Sequence, residues 1–188
     1  MKKKIIIIIV TIALLLSIPG TLLVWGLALP AQYGGAFLGE LKHKVRLLEV
    51  TPGPRIILVG GSGAAFGVDS ALMERELPGY SVVNFGMYAA LGTTVMLDLS
   101  QPHIREGDIV LLIPEQQEQT LSDWFDPAVM WQGLDGAFDL LRLLPKDKLE
   151  RLAGAFPAFA GQKFSCFLQG QPLQPQGIYR RDSFDEKG

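Results

Sequence analysis

Ser62 is the residue whose surroundings in the sequence best suit a nucleophile. It lies within Arg-Ile-Ile-Leu-Val-Gly-Gly-Ser-Gly-Ala-Ala-Phe-Gly, residues 55–67. Ile56 to Val59 form an apolar run without polar alternation, which predicts a strand buried on both faces of a parallel sheet. Gly60, Gly61 and Gly63 then permit a tight turn that residues with a Cβ would resist, and Ser62 sits in that turn at the carboxyl end of the strand. Ligands and chemistry gather at this edge of open α/β sheets, so a hydroxyl held there is a candidate nucleophile. The same residues also describe an ordinary Gly/Ser loop ahead of a helix.

Two further stretches repeat the arrangement. Ser81-Val82-Val83-Asn84-Phe85 runs into a turn from Gly86 to Gly92, and Ile109 to Ile113 runs into Pro114-Glu115-Gln116-Gln117. If the three strands are parallel neighbours, Ser62, Gly86 and the Glu115/Gln116 region converge on one crevice. Backbone N–H groups at Ser62 and Gly86, with a side-chain amide from Gln116 or Gln117, would then form an oxyanion hole. A solvated loop is the alternative for the two glutamines.

The elements that must position these residues are legible between them. Asp69 is expected to cap a helix carrying Leu72, Met73 and Leu77 on one side and ended by Pro78-Gly79, and Thr93 or Thr94 to cap the next. Three strands alternating with two helices predict a doubly wound parallel sheet. Farther on, Leu134, Phe138, Leu141 and Leu144, then Leu149, Leu152 and Phe156 after Pro145, recur at helical spacing and predict two amphipathic helices. No fourth strand is evident. Asp123, Trp124, Phe125 and Trp131 would suit either a carbohydrate-facing edge or the core.

The N-terminus has a different character. Three lysines follow Met1, and no charged residue occurs from Ile5 to Leu29. At about 1.5 Å per residue that run reaches across a hydrocarbon core of roughly 30 Å. It predicts an uncleaved anchor, because the exit Leu29-Pro30-Ala31-Gln32 lacks a small-x-small cleavage site. The lysines favour a cytoplasmic N-terminus and an extracytoplasmic domain, in a single-pass protein of the cell membrane, with Trp25 in the aromatic belt. Glu40, Lys42, Lys44, Arg46 and Glu49 interleave with leucines and valine, as in a short helix or linker outside the membrane, and His43 is expected at its surface.

The chain has 188 residues and a net charge of -2. That balance gives no reason to expect nucleic acid as a partner. One cysteine, Cys166, excludes an intramolecular disulfide, and neither His43 nor His103 has zinc-type spacing, so no metal or cofactor is expected.

Val59-Gly60-Gly61-Ser62-Gly63 with Gly67, then Val83-Asn84-Phe85-Gly86 with Gly92, then Gly107-Asp108-Ile109-Val110-Leu111-Leu112 together resemble the opening half of an SGNH/GDSL-type hydrolase. The likeness is to the membrane-anchored branch linked to acylation or deacylation of cell-surface polymers, and it covers roughly residues 55–118. It implies Ser62 as nucleophile and Gly86 as an oxyanion donor. The chain departs from the family pattern in three places. Gly61 stands where block I has aspartate, Pro114-Glu115-Gln116 stands where block III has asparagine, and the Asp-x-x-His that would supply the general base is missing. His103 precedes the third strand, at the wrong end of the sheet to replace it. Residues 178–188 resemble a segment that family members carry in mid-domain, so the sheet is expected to be incomplete and the chain truncated.

The expected fold is therefore α/β, a three-layer, flavodoxin-like parallel sheet preceded by one transmembrane helix. Residues 1–30 would be the anchor, 31–54 a juxtamembrane linker and 55–188 the SGNH-like domain. The expected function is that of an extracytoplasmic serine esterase or O-acyltransferase acting on envelope polymers, with an envelope polysaccharide or an acyl donor as partner. The first alternative is a non-catalytic membrane-tethered assembly protein with a membrane-protein partner. The second is a Rossmann-type nucleotide-binding domain, suggested by Gly61-x-Gly63-x-x-x-Gly67 but weakened by Asn84 where an acid would hold the ribose. A P-loop is excluded because no Gly-Lys-Ser/Thr follows, and the nucleophile-elbow pattern fails at Ala64.

Overall fold

β1 (Arg55–Gly60) is the centre of the molecule, buried along its whole length. A computed structural model describes residues 2–115, 122–170 and 179–184. β2 (Ser81–Gly86) and β3 (Ile109–Ile113) flank β1 in the order β2-β1-β3, both parallel to it. The register sets Gly60 beside Gly86 on one side and beside Ile113 on the other, so all three strands end at one edge. The expected α/β architecture with a parallel sheet is thus present.

The two faces of the sheet are covered unequally. Ile57, Val59, Val83 and Phe85 face the main core, which includes residues of α2 (Leu41–Val50), α5 (Thr93–Ser100), α6 (Pro127–Leu134) and α7 (Lys146–Gln169). Ile56, Leu58 and Val82 face a smaller cluster with Val68 and with Met73 of α4 (Ser70–Glu76), whereas α3 (Ser62–Gly67) gives Ala65 to the main core. β3 forms as expected but is not sealed. Ile109, Leu111 and Leu112 are 41%, 41% and 36% exposed, because β3 has a strand neighbour on one side only among the described residues.

α1 (Lys2–Leu23) carries no buried residue and continues through a π-helical turn over Val24–Ala28. The combined helix is long and apolar enough to cross a membrane. The stretch after it, expected as a linker, is folded into the main core: Tyr33, Phe37, Leu38, Leu41, Val45 and Leu48 are all buried there. The cause is a stripe at positions 41, 45 and 48 of α2, and full burial of each such leucine contributes about 1.5–3 kcal/mol.

Several local expectations are met and others corrected. Asp69 caps α4 by accepting from the Leu72 amide at 2.9 Å. Leu72 and Leu77 nonetheless remain exposed, and Met73 alone of the three packs on the sheet. Neither threonine caps α5. Gly92 takes that place with φ +78, and Phe125 packs so closely that a Cβ at position 92 would lie 2.9 Å from its own. The first of the two expected C-terminal helices is a 3-10 stretch, Phe138–Leu143, preceded by the unforeseen α6, whose Asp126 accepts from the Ala128 amide at 2.8 Å. The second is α7. Phe125 and Trp131 belong to the core, Trp131 donating Nε1–H to the Leu152 carbonyl at 2.8 Å, while Asp123 and Trp124 stay at the surface.

Candidate functional site

The site is built where β1 gives way to α3. The Gly61 carbonyl accepts from the amides of Ala64 and Ala65 at 3.1 and 3.2 Å, which starts the helix directly behind Ser62. Position 60 must be bare, since a Cβ there would meet the Ile113 carbonyl at 2.5 Å and the Ala64 methyl at 2.9 Å. That close approach brings the end of β3 against the turn. Glu115, two residues beyond β3, reaches across it and accepts from the Ser62 hydroxyl at 3.1 Å and from the Gly63 amide. A side chain at position 61 would run into the same carboxylate. An aspartate there would set two like charges together, which accounts for a glycine at that position.

The three strand ends therefore meet as the spacing predicts, with one substitution of role. The partner of Ser62 is the Glu115 carboxylate. Gln116, expected as an amide donor, lies outside the described residues, as do Gln117 and the rest of 116–121. Gly86 lies at the same edge and comes so close to α3 that a Cβ on it would overlap the Ala65 backbone. Its N–H, expected to face an oxyanion, donates to the Asn84 side-chain oxygen at 2.9 Å.

Asn84 is a structural bracket that the sequence did not reveal. Its Nδ2 donates to the Ala64 carbonyl at 3.0 Å, tying the end of β2 to the Ser62 helix. Its backbone carbonyl accepts from Lys44 Nζ at 2.9 Å. Lys44 is fully buried, with its ammonium 5.0 Å from the centre of the Phe184 ring. The sequence carries a partial signal for this, because position 44 shares the helix face of Leu41 and Leu48, which turns inward only once α2 packs on the sheet.

Phe66, at the far end of α3, anchors the helix. Its ring packs on Phe37 and Phe184, with centroids 5.0 and 5.1 Å apart. Phe184 arrives on the segment 179–184, which is held by Arg181 N–H donating to the Gly35 carbonyl at 3.0 Å and by an Arg181–Glu40 ion pair of 2.5 Å. A cleft of about 340 Å³ opens between this segment and the Phe66–Ser70 stretch. Ser62 is not among its lining residues.

The two histidines stand apart from this chemistry. His43 is half-buried on α2. His103 ends a 3-10 turn over Gln101–His103 ahead of β3, where its carbonyl accepts from the Arg55 guanidinium at 2.7 Å, and Arg55 opens β1 at the opposite end from Ser62. The His103 Nε2 is buried with no hydrogen-bond partner among the described residues, and burial lowers the pKa of His103 below the usual histidine value. No family model matches the chain, and comparison with curated proteins and with solved structures likewise finds no match.

Proposed function

We propose that the chain is a membrane-anchored, extracytoplasmic serine esterase or O-acyltransferase of SGNH type, acting on acyl groups of cell-envelope polymers with Ser62 as nucleophile. The observation that carries the reading is the Ser62 hydroxyl at the carboxyl end of the central strand, donating to Glu115 from the end of the neighbouring strand. Strand order adds support. The order β2-β1-β3 is that with which a flavodoxin-like sheet begins, whereas the dinucleotide-binding order would put β2 between β1 and β3.

The chemistry follows from the geometry. Ser62 Oγ attacks the acyl carbonyl, its proton passes to a base, and backbone N–H groups at Ser62 and Gly86 hold the oxyanion once Asn84 releases Gly86. Glu115 is the group placed to accept that proton. Collapse breaks the ester C–O bond, the leaving alcohol takes that proton, and water or an acceptor hydroxyl then removes the acyl group from Ser62. The helix Lys2–Ala28 anchors the enzyme, its lysines on the cytoplasmic side.

A second reading, a non-catalytic assembly protein, draws on the same edge, because Gly63 N–H and Gly86 N–H are both engaged within the protein. A fluorophosphonate probe on the full chain in lipid nanodiscs separates the two. The enzyme reading expects labelling of the wild type, none in Ser62→Ala, and a rate about 10²-fold lower in Glu115→Gln. Labelling that persists in Ser62→Ala refutes the nucleophile, and an unlabelled wild type favours the assembly reading.

A further inference from the structure

α7 changes chemical character partway along its length. Lys146 to Arg151 are charged at every position except Leu149, whereas from Leu152 to Gln169 the sole charged residue is Lys163. That ammonium is buried, 2.7 Å from the Asp135 carboxylate and donating to the Gly26 carbonyl at 3.0 Å. The outward side of this part of the helix is left without charge. It shows Ala158, Phe167 and Leu168, with Gln162 and Ser165 among its polar members. Leu168 is 67% exposed, as bare as Leu16 on α1 at 66%. A helix face turned to water carries charged residues, as the first turns of α7 do.

Position argues the same way. Phe164 stacks on Trp25 with ring centres 3.9 Å apart, and Phe156 packs over Gly26. Those two phenylalanines are roughly 12 Å apart along α7, yet they meet adjacent residues of the apolar helix, so α7 crosses its outer end instead of running alongside it. Trp25 lies near the outer end of the uncharged run, at the level where aromatic rings settle between headgroups and acyl chains. Phe164 shares that level, and Phe167 and Leu168 follow within about a turn.

We propose that the uncharged part of α7 is a second membrane contact, lying in the interfacial plane of the leaflet that Trp25 reaches, with lipid as its occupant. The inference rests on the reading that α1 spans the membrane. A single span can tilt in the bilayer and carry the joined domain with it, and a second contact fixes that tilt, holding the Ser62 edge at constant orientation over the lipid surface.

The test uses the full chain in phosphatidylcholine vesicles with one environment-sensitive fluorophore on an introduced cysteine. The background is Cys166→Ser, which keeps a hydrogen-bonding oxygen beside Tyr33. Labels go at Leu168→Cys, at Glu150→Cys on the charged end of α7, and at Ile12→Cys within the span, with Phe167→Cys as a second site should the first label poorly. Doxyl-labelled lipid is expected to quench the 168 and 12 labels several-fold more than the 150 label, and aqueous iodide to do the reverse. A 168 label quenched by iodide while the 12 label stays lipid-quenched overturns the proposal and leaves the span standing. A 168 label shielded from both quenchers means a protein neighbour covers the face, which also overturns it. An Ile12 label open to iodide removes the span, and the proposal with it.

Discussion

Ser62 and Arg55 stand at opposite ends of β1, in surroundings of opposite kind. At the carboxyl end, a half-buried hydroxyl meets an exposed carboxylate, and both groups are reached by solvent. At the amino end, the Arg55 and Asp108 side chains are completely buried as an ion pair, and the guanidinium also reaches the carbonyls of Leu48 and His103. Removing one member of such a pair strands the other charge in the core, so Asp108→Ala is expected to lose about 3–5 kcal/mol of stability in urea titrations. The same contact makes the fold acid-sensitive. The hydrogen bond from Arg55, against a smaller opposing effect of burial, holds the Asp108 pKa below its ordinary 3.8. A carboxyl depressed in the folded state stabilises fully above its unfolded pKa, and that contribution is lost as pH falls through the folded value. Wild-type unfolding followed from pH 6 down to 2 is therefore expected to weaken at the acid end, and the Asp108→Ala variant to lose this part of the dependence.

The elements are held by short polar devices at their ends as well as by their apolar faces. Asp69 and Asp126 each satisfy amides at the start of a helix, α4 and α6 respectively. Replacing either by alanine is expected to cost about 1 kcal/mol. The consequences differ by position. α4 leaves Leu72 and Leu77 exposed, whereas α6 buries Met130, Trp131 and Leu134 in the main core. Asp69→Ala is therefore expected to raise amide exchange locally in α4, and Asp126→Ala to lower the midpoint of global unfolding. Equal exchange profiles in the two variants would contradict this division. Among the described strands, β3 is the one left with exposed apolar side chains. Its side chains are as apolar as those of β1, yet three of its five remain substantially exposed.

At the scale of the whole molecule, the connection between the apolar helix and the α/β body is a packed joint. Gly26 lets the Phe156 ring lie against the helix, Trp25 stacks on Phe164, and Lys163 bridges the Gly26 carbonyl and Asp135. Asp135 in turn accepts from the amides of Gln32 and Tyr33 at 2.6 and 3.3 Å, so one carboxylate organises the chain where it leaves the helix. The Tyr33 phenol beside it is pushed up to about 12, first by burial and then by the nearby Cys166 and Asp135. Lys163→Ala removes the cation from a buried carboxylate and is expected to destabilise the body by about 3–5 kcal/mol. Hydrogen exchange in nanodiscs checks this, with protection lost around Gln32 and Tyr33 before it is lost in β1.

The sequence by itself determined the elements whose physics is local. An apolar run of β-branched residues makes β1, a carboxylate ahead of a helix caps α4, and a long stretch without charge makes the apolar N-terminal helix. It also brought Ser62 to the strand edge, because glycines at 60, 61 and 63 permit a close-packed turn where β1 ends. Tertiary structure alone decided which group faces that serine, since Glu115 is distant in sequence and reaches it only through the parallel pairing of β1 with β3. It likewise turned the stretch expected as a linker into part of the core and buried Lys44 and Lys163. Lysines read as solvated in sequence, and become internal only when a carbonyl or carboxylate from another element meets the ammonium. Local preference depends on near neighbours, whereas these partners are chosen by packing between elements far apart in the chain.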